Sequence, residues 1–165
     1  MDGLTSLWEY TGVIKKAIGK LKFQFATEIA NELTKGFVIS MRSADKPLPI
    51  NVTLIPIPLH RIRKNWRGFN QVEIIGQHLA KYYRWGFEPD LLVRHANTLP
   101  QSKLAKDERS KNVLGIFSVS ENKSVQNANF VLLDDVWTTG STMKEATKVL
   151  KRHGSGKVWG ITLAH

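Results

Sequence analysis

The 165 residues contain no cysteine, which excludes a disulfide scaffold and a thiolate zinc site and fits a reducing compartment. Nowhere do about 18 apolar residues run together, and the N-terminus carries no signal-peptide core, so the expectation is a soluble, cytoplasmic protein without a membrane span. Acidic residues are scarce. Fourteen Asp and Glu face 24 Lys and Arg, for a net charge of +10 and a pI near 9.9. Such a balance favours anionic partners, polyphosphates or nucleic acid among them. Internal repeats and low-complexity tracts are also missing. The length suits one domain with its own core and is short for two.

What is present is organised around Val131-Leu132-Leu133-Asp134-Asp135-Val136-Trp137-Thr138-Thr139-Gly140-Ser141-Thr142. An apolar run ends in two adjacent carboxylates, then a hydroxyl-rich turn with one glycine. A helical pattern follows, with Met143, Ala146, Thr147 and Leu150 at i, i+3, i+4 and i+7. A strand this uniformly apolar is best buried on both faces of a parallel sheet, so its first polar residues emerge at the carboxyl end, where such sheets bind ligands. Thr138 to Thr142 then offer backbone N–H groups and hydroxyls at a helix N-terminus, a place that favours an anion, and Gly140 permits its close approach. Carboxylates accept from vicinal hydroxyls and repel phosphate. A ligand with hydroxyls at one end and phosphate at the other, such as ribose 5-phosphate, satisfies both halves. Two other readings remain open: acidic pairs after a strand also occur in metal-dependent phosphatases and receiver domains, and Thr-Thr-Gly can be a plain helix cap. A P-loop kinase is disfavoured, since no Gly-Lys-Ser/Thr follows the glycine.

Before this stretch, the first 35 residues read as two helices, with Ile14, Ala17, Ile18 and Leu21, then Ala26, Ile29, Ala30 and Leu33, at helical spacing. Gly36 reads as a C-cap, Phe37 to Met41 is ambiguous, and Ser43 to Pro49 is a loop. Val52 to Ile57 predicts a strand that Pro56 and Pro58 end. Past it, His60, Arg61, Arg63, Lys64 and Arg67 form a basic loop, the second functional candidate. Gly68 turns the chain, and Asn70 with Glu73 reads as a capping box for a helix burying Val72, Ile75, Gly76 and Leu79. Leu91 to Arg94 predicts a strand, Asn97 to Gly115 a long basic stretch that contains Lys103, Arg109 and Lys111, and Ile116 to Val119 another strand. After a polar loop from Ser120 to Ala128 and the central strand and helix, Val158 to Leu163 closes the sheet. Alternating strands and helices give an α/β fold with a parallel sheet flanked by helices.

The central run resembles the ribose-phosphate motif of type I phosphoribosyltransferases, enzymes that use 5-phosphoribosyl 1-diphosphate (PRPP). The nearest resemblance is to the ComF family, the competence-associated phosphoribosyltransferase-like proteins that include GntX, and it covers nearly the whole chain. It is carried by Tyr10 to Phe23, by Ile55-Pro56-Ile57-Pro58-Leu59-His60-Arg61 and Arg67-Gly68-Phe69-Asn70-Gln71, and by Thr98, Pro100-Gln101, Leu104, Arg109, Asn112 and Gly115-Ile116-Phe117. Two departures stand out. The cysteine-rich, zinc-ribbon-like start common in the family is absent here, and Trp137 sits where a smaller aliphatic residue is usual.

The resemblance implies a type I phosphoribosyltransferase fold in a single domain, residues 1–165, with a flexible loop. Residues 1–50 would form an N-terminal helical hood and 51–165 the PRPP-binding core. It implies that Asp134 and Asp135 bind the ribose hydroxyls, directly or through water on Mg2+, and that Thr138, Thr139, Gly140, Ser141 and Thr142 cradle the 5-phosphate. Leu59, His60 and Arg61 would form the pyrophosphate loop, often held by a cis peptide in this fold, with Arg94, Lys103 and Arg109 closing on the pyrophosphate. The implied reaction is displacement of pyrophosphate by a nitrogen nucleophile. In purine-salvage relatives an acidic general base stands in the place of Thr138, and a threonine cannot do that work at neutral pH. Three functions follow as alternatives: a phosphoribosyltransferase of unidentified acceptor, a PRPP or nucleotide sensor without turnover, and a single-stranded DNA-binding accessory of the competence and DNA-uptake machinery. A homodimer is compatible with each.

Overall fold

The computed structural model describes residues 1–21, 26–43, 48–95 and 115–165. Their elements run β1 (Gly3–Trp8), α1 (Gly12–Lys20), α2 (Ala26–Ser43), β2 (Thr53–Pro56), α3 (Arg61–Arg67), α4 (Gln71–Tyr83), β3 (Gly86–Phe87), β4 (Leu92–Arg94), β5 (Phe117–Val119), β6 (Phe130–Val136), α5 (Ser141–Arg152) and β7 (Val158–Ala164). Five strands form one sheet in the order β1-β7-β6-β2-β3, parallel throughout. β6, the apolar run before the acidic pair, lies in the middle, as its burial on both faces requires. β4 and β5 stand apart as an antiparallel ribbon that flanks residues 96–114.

Alternation along the strands divides the core in two. Val131 and Leu133 of β6 face one side with Leu54, Ile161 and Leu163, under Ile18 of α1, Phe37 of α2 and Ile75 and Leu79 of α4. Phe130 and Leu132 face the other with Ile55 and Val158, under Met143, Ala146 and Leu150 of α5 and Leu92 and Phe117 of the ribbon. The positions expected to turn inward do so: Val72, Ile75, Gly76 and Leu79 on α4, and Met143, Ala146, Thr147 and Leu150 on α5, are all buried. Gly76 lets α4 lie directly on β2, since a Cβ there would come within 2.8 Å of the Leu54 side chain.

Connectivity locates the binding crevice. α4 carries the chain from β2 outward to β3, while α5 carries it from β6 the opposite way to β7. Between β2 and β6 the succession reverses, and open α/β sheets bind ligands at the carboxyl ends of strands at such a point.

Several expectations need correction. The N-terminal part is not purely helical: Gly3–Trp8 forms β1, the sheet edge, which among the described residues pairs only with β7. Its mixed polar and apolar sequence carries no clear alternation, because an edge strand needs little burial. β7 therefore does not close the sheet; β1 does. Gly36 is not a cap, for α2 continues to Ser43. It allows close approach instead, its missing side chain leaving room for the Trp8 ring at 3.3 Å from where a Cβ would stand. Phe37 and Met41 are helical and buried. The basic run after β2 forms α3 rather than a loop. The strand ending in Arg94 belongs to the ribbon, not to the main sheet. Finally, the described residues contain no cis peptide bond, so Leu59, His60 and Arg61 follow one another in trans.

Candidate functional site at the carboxyl ends of the central strands

Asp134 and Asp135 emerge where the chemistry of β6 changes from apolar to acidic, and the pleat sends them to opposite faces of the sheet. Asp134 follows Leu132 toward α5. It opens on a cavity of about 20 Å3 bounded also by Trp137, Thr138, Gly140, Ser141, Thr142 and Thr162, room for about one water molecule. Its Oδ1 accepts from the Asp135 backbone N–H at 2.9 Å. Burial holds its carboxyl well above the ordinary carboxylate range, to about 8, with the like charge of Asp135 adding to the rise; Arg94 and the Asp135 N–H oppose it.

Asp135 follows Leu133 toward α4. Its Oδ2 accepts from Gln71 Nε2 at 3.0 Å, and Gln71 Oε1 in turn accepts from Arg67 Nη1 at 2.6 Å. The acids thus share one strand end but have different partners, where adjacency in sequence suggested a single patch.

The turn after β6 is built by local chemistry. Gly140 sits at φ +70, a left-handed conformation that starts α5 and that other residues adopt at a cost. The Trp137 indole lies directly against it, where a Cβ would be. Lys144 Nζ stands 5.9 Å from the centre of that indole. The Thr139 and Ser141 hydroxyls bond to each other at 2.7 Å, and Thr139 Oγ1 also accepts from the Ser141 N–H at 3.4 Å. Of the five residues expected around a phosphate, Thr138, Gly140, Ser141 and Thr142 share the cavity with Asp134, while Thr139 bonds to Ser141 within the turn.

On the β2 side, His60 caps α3 by accepting from the Ile62 N–H at Nδ1, and its Nε2 lies 3.1 Å from the His95 carbonyl. A carbonyl only accepts, so Nε2 carries the proton. Arg61 points to solvent, and the helical turn brings Arg63 and Arg67 inward instead. Arg63 acts electrostatically on both Arg67 and Arg94, Arg67 interacts with Asp135, and Arg94 with Asp134. Burial, more than this mutual repulsion, lowers the pKa of both Arg67 and Arg94. Arg94 also lies over the Phe117 ring at 5.7 Å. Lys103 and Arg109, with Thr98, Pro100, Gln101, Leu104, Lys111 and Asn112, fall outside the described residues.

Sequence reasoning missed two contributors. Gln71 was read only as part of a motif, although it stands four residues after Arg67. Thr162, fully buried and with no hydrogen-bond partner for its hydroxyl, is the β7 residue registered against Asp134; its signal was the two-residue alternation of β7 carried across to β6.

The architecture, a parallel sheet with acids and a hydroxyl-rich turn at its switch point, is that of the type I phosphoribosyltransferases. Adenine phosphoribosyltransferase from Leishmania donovani superposes at TM-score 0.50 over 98% of this chain and 70% of its own, at 11% identity. No family model matches the chain. Competence protein F of Haemophilus influenzae is 29% identical over 168 residues, spanning 99% of this chain and 73% of its own length. DNA utilization protein YhgH of Salmonella typhi is 31% identical over 160 residues, 94% of this chain and 68% of its own. The chain belongs to the ComF family of phosphoribosyltransferase-like proteins.

Proposed function

We propose that the protein binds PRPP and transfers its phosphoribosyl group to a nitrogen nucleophile. The observation that carries this reading is the meeting of Asp134 with the turn from Trp137 to Thr142 at the switch point of the sheet. The ribose hydroxyls donate to Asp134 and Asp135, and the 5-phosphate takes the amide-lined turn at the start of α5. Leu59 and His60 border the pyrophosphate, toward which Arg63, Arg67 and Arg94 direct positive charge, while Arg61 faces solvent. The nitrogen attacks the anomeric carbon as the bond to pyrophosphate breaks, its proton passing to the departing pyrophosphate, and the arginines stabilise the charge that gathers on that leaving group.

Mg2+ binds through one or two carboxylates, water and substrate phosphate rather than in an all-protein cage; Asp134 and Asp135, on opposite faces of the strand end, would hold it through its water shell, and it would neutralise pyrophosphate charge. Calorimetry with PRPP and Mg2+, joined to pyrophosphate release over a panel of amine and nucleobase acceptors, tests the proposal. Binding that is weakened, and release that is lost, in Asp135→Asn support it; the absence of PRPP binding overturns it.

Thr138, without the acid-base capacity of a carboxylate, favours a second reading in which PRPP is sensed without turnover. Tight binding with no product across the panel is its signature. A third reading draws on the names of the relatives, one a competence protein and one a DNA utilization protein. The outer face of α3 presents Trp66, 77% exposed, and Ile62, 60% exposed, beside Arg61 and Lys64. That surface suits stacking against single-stranded DNA, and binding there must fall steeply with salt.

A further inference from the structure

We infer that Gln71 is a positioning residue for Asp135, and that the segment Arg67-Gly68-Phe69-Asn70-Gln71 serves to order the two strand ends of the site. The inference rests on the PRPP-binding reading and goes on to assign how one of its acids is held. Gln71 is 4% exposed and opens α4. Its carbonyl oxygen accepts from Arg67 Nη1 at 2.6 Å while its nitrogen donates to Asp135 Oδ2 at 3.0 Å. A guanidinium can only donate and an ionised carboxylate only accept, so the two partners fix the orientation of the amide. The carboxamide aligns its dipole between cation and anion. It links Arg67 to Asp135 through two hydrogen bonds, in addition to the direct attraction between the two charges.

The neighbouring residue completes the arrangement. Asn70, also 4% exposed, accepts from the Val72 N–H at 3.3 Å to cap α4 and donates to the Ile57 carbonyl at 3.1 Å, just past β2. The first turn of α4 and its cap therefore hold both sides of the crevice, Ile57 through Asn70 and Asp135 through Gln71. Arg67 and Gln71 belong to different helices, and they meet because Gly68 turns the chain at φ +82. This amide therefore helps to set where Asp135 stands, within a geometry shared among three elements.

A double-mutant cycle with Gln71→Met and Asp135→Asn tests the inference, using calorimetric titration with PRPP and Mg2+. Methionine keeps the length of glutamine and removes both hydrogen bonds. Gln71→Met should weaken binding by about tenfold in the parent and by less than about twofold when Asp135 is already Asn, because it acts through that carboxylate. An equal loss in both backgrounds, or none in the parent, overturns the inference. If the parent itself does not bind PRPP, the functional reading falls, and the Gln71 side-chain amide resonances of the free protein judge the arrangement. Slow solvent exchange of those protons, lost in Asp135→Asn, supports it; resonances indifferent to that substitution overturn it.

Discussion

Asp134 is half-buried between sheet and turn, and a second acid follows it in the chain. Its carboxyl is therefore raised to about 8 in the folded protein, against 3.8 without those surroundings. The sign of the stability effect follows from proton linkage. Below pH 4 both states are protonated and nothing is lost. As the pH rises toward 8 the unfolded chain gives up this proton and the folded one keeps it, so stability falls across that window. Asp134→Asn removes the penalty. In chelator-treated protein it should stabilise by roughly 1–3 kcal/mol at pH 8, after discounting for solvent access, with the gain vanishing near pH 4; urea unfolding at several pH values measures it. Gly140 gives the opposite result. Its positive φ and the indole against it both penalise a side chain, so Gly140→Ala should destabilise by about 1–2 kcal/mol. The loss should shrink in Trp137→Ala, as thermal unfolding of the single and double variants will show.

At the scale of elements, α3 and α4 form one angular unit whose joint is Gly68 and whose brace is Asn70. Asn70→Ala removes a helix cap and leaves the buried Ile57 carbonyl without its donor. It should cost about 2 kcal/mol, and hydrogen exchange should rise first in the opening turn of α4. The sequence made α4 and α5 legible because their apolar residues keep helical spacing and their start signals are strong. α3 was hidden by its composition. Charge density reads as a solvated loop, and only the closure of the turn by His60 and Gly68 makes a helix of it. The same closure decided which cations matter, turning Arg61 to solvent and Arg63 and Arg67 to the crevice. β1 was illegible for another reason: its pairing with β7 is a contact between distant segments that no local pattern records. Within the site, the turn and Asp134 were readable from one continuous stretch, whereas Gln71 and Thr162 reach it from other elements.

For the whole molecule, the net charge of +10 is not spread evenly in its effects. Arg63 acts on both Arg67 and Arg94, which in turn act on Asp135 and Asp134 at the strand ends, so several fixed positive charges converge on the crevice. On the proposed function, PRPP affinity should drop several-fold as NaCl rises from about 50 to 300 mM, with the change mainly in the association rate; stopped-flow binding followed by tryptophan emission measures it.

The pairing of β1 with β7 also has a consequence for biogenesis. β1 leaves the ribosome before the other described strands of the sheet, yet its one hydrogen-bonding neighbour among them, β7, is translated last of the five. Throughout elongation the nascent polypeptide thus keeps its tryptophan-bearing leading strand unmated, exposed to chaperones or to misassociation, and the fold is completed in a late docking event.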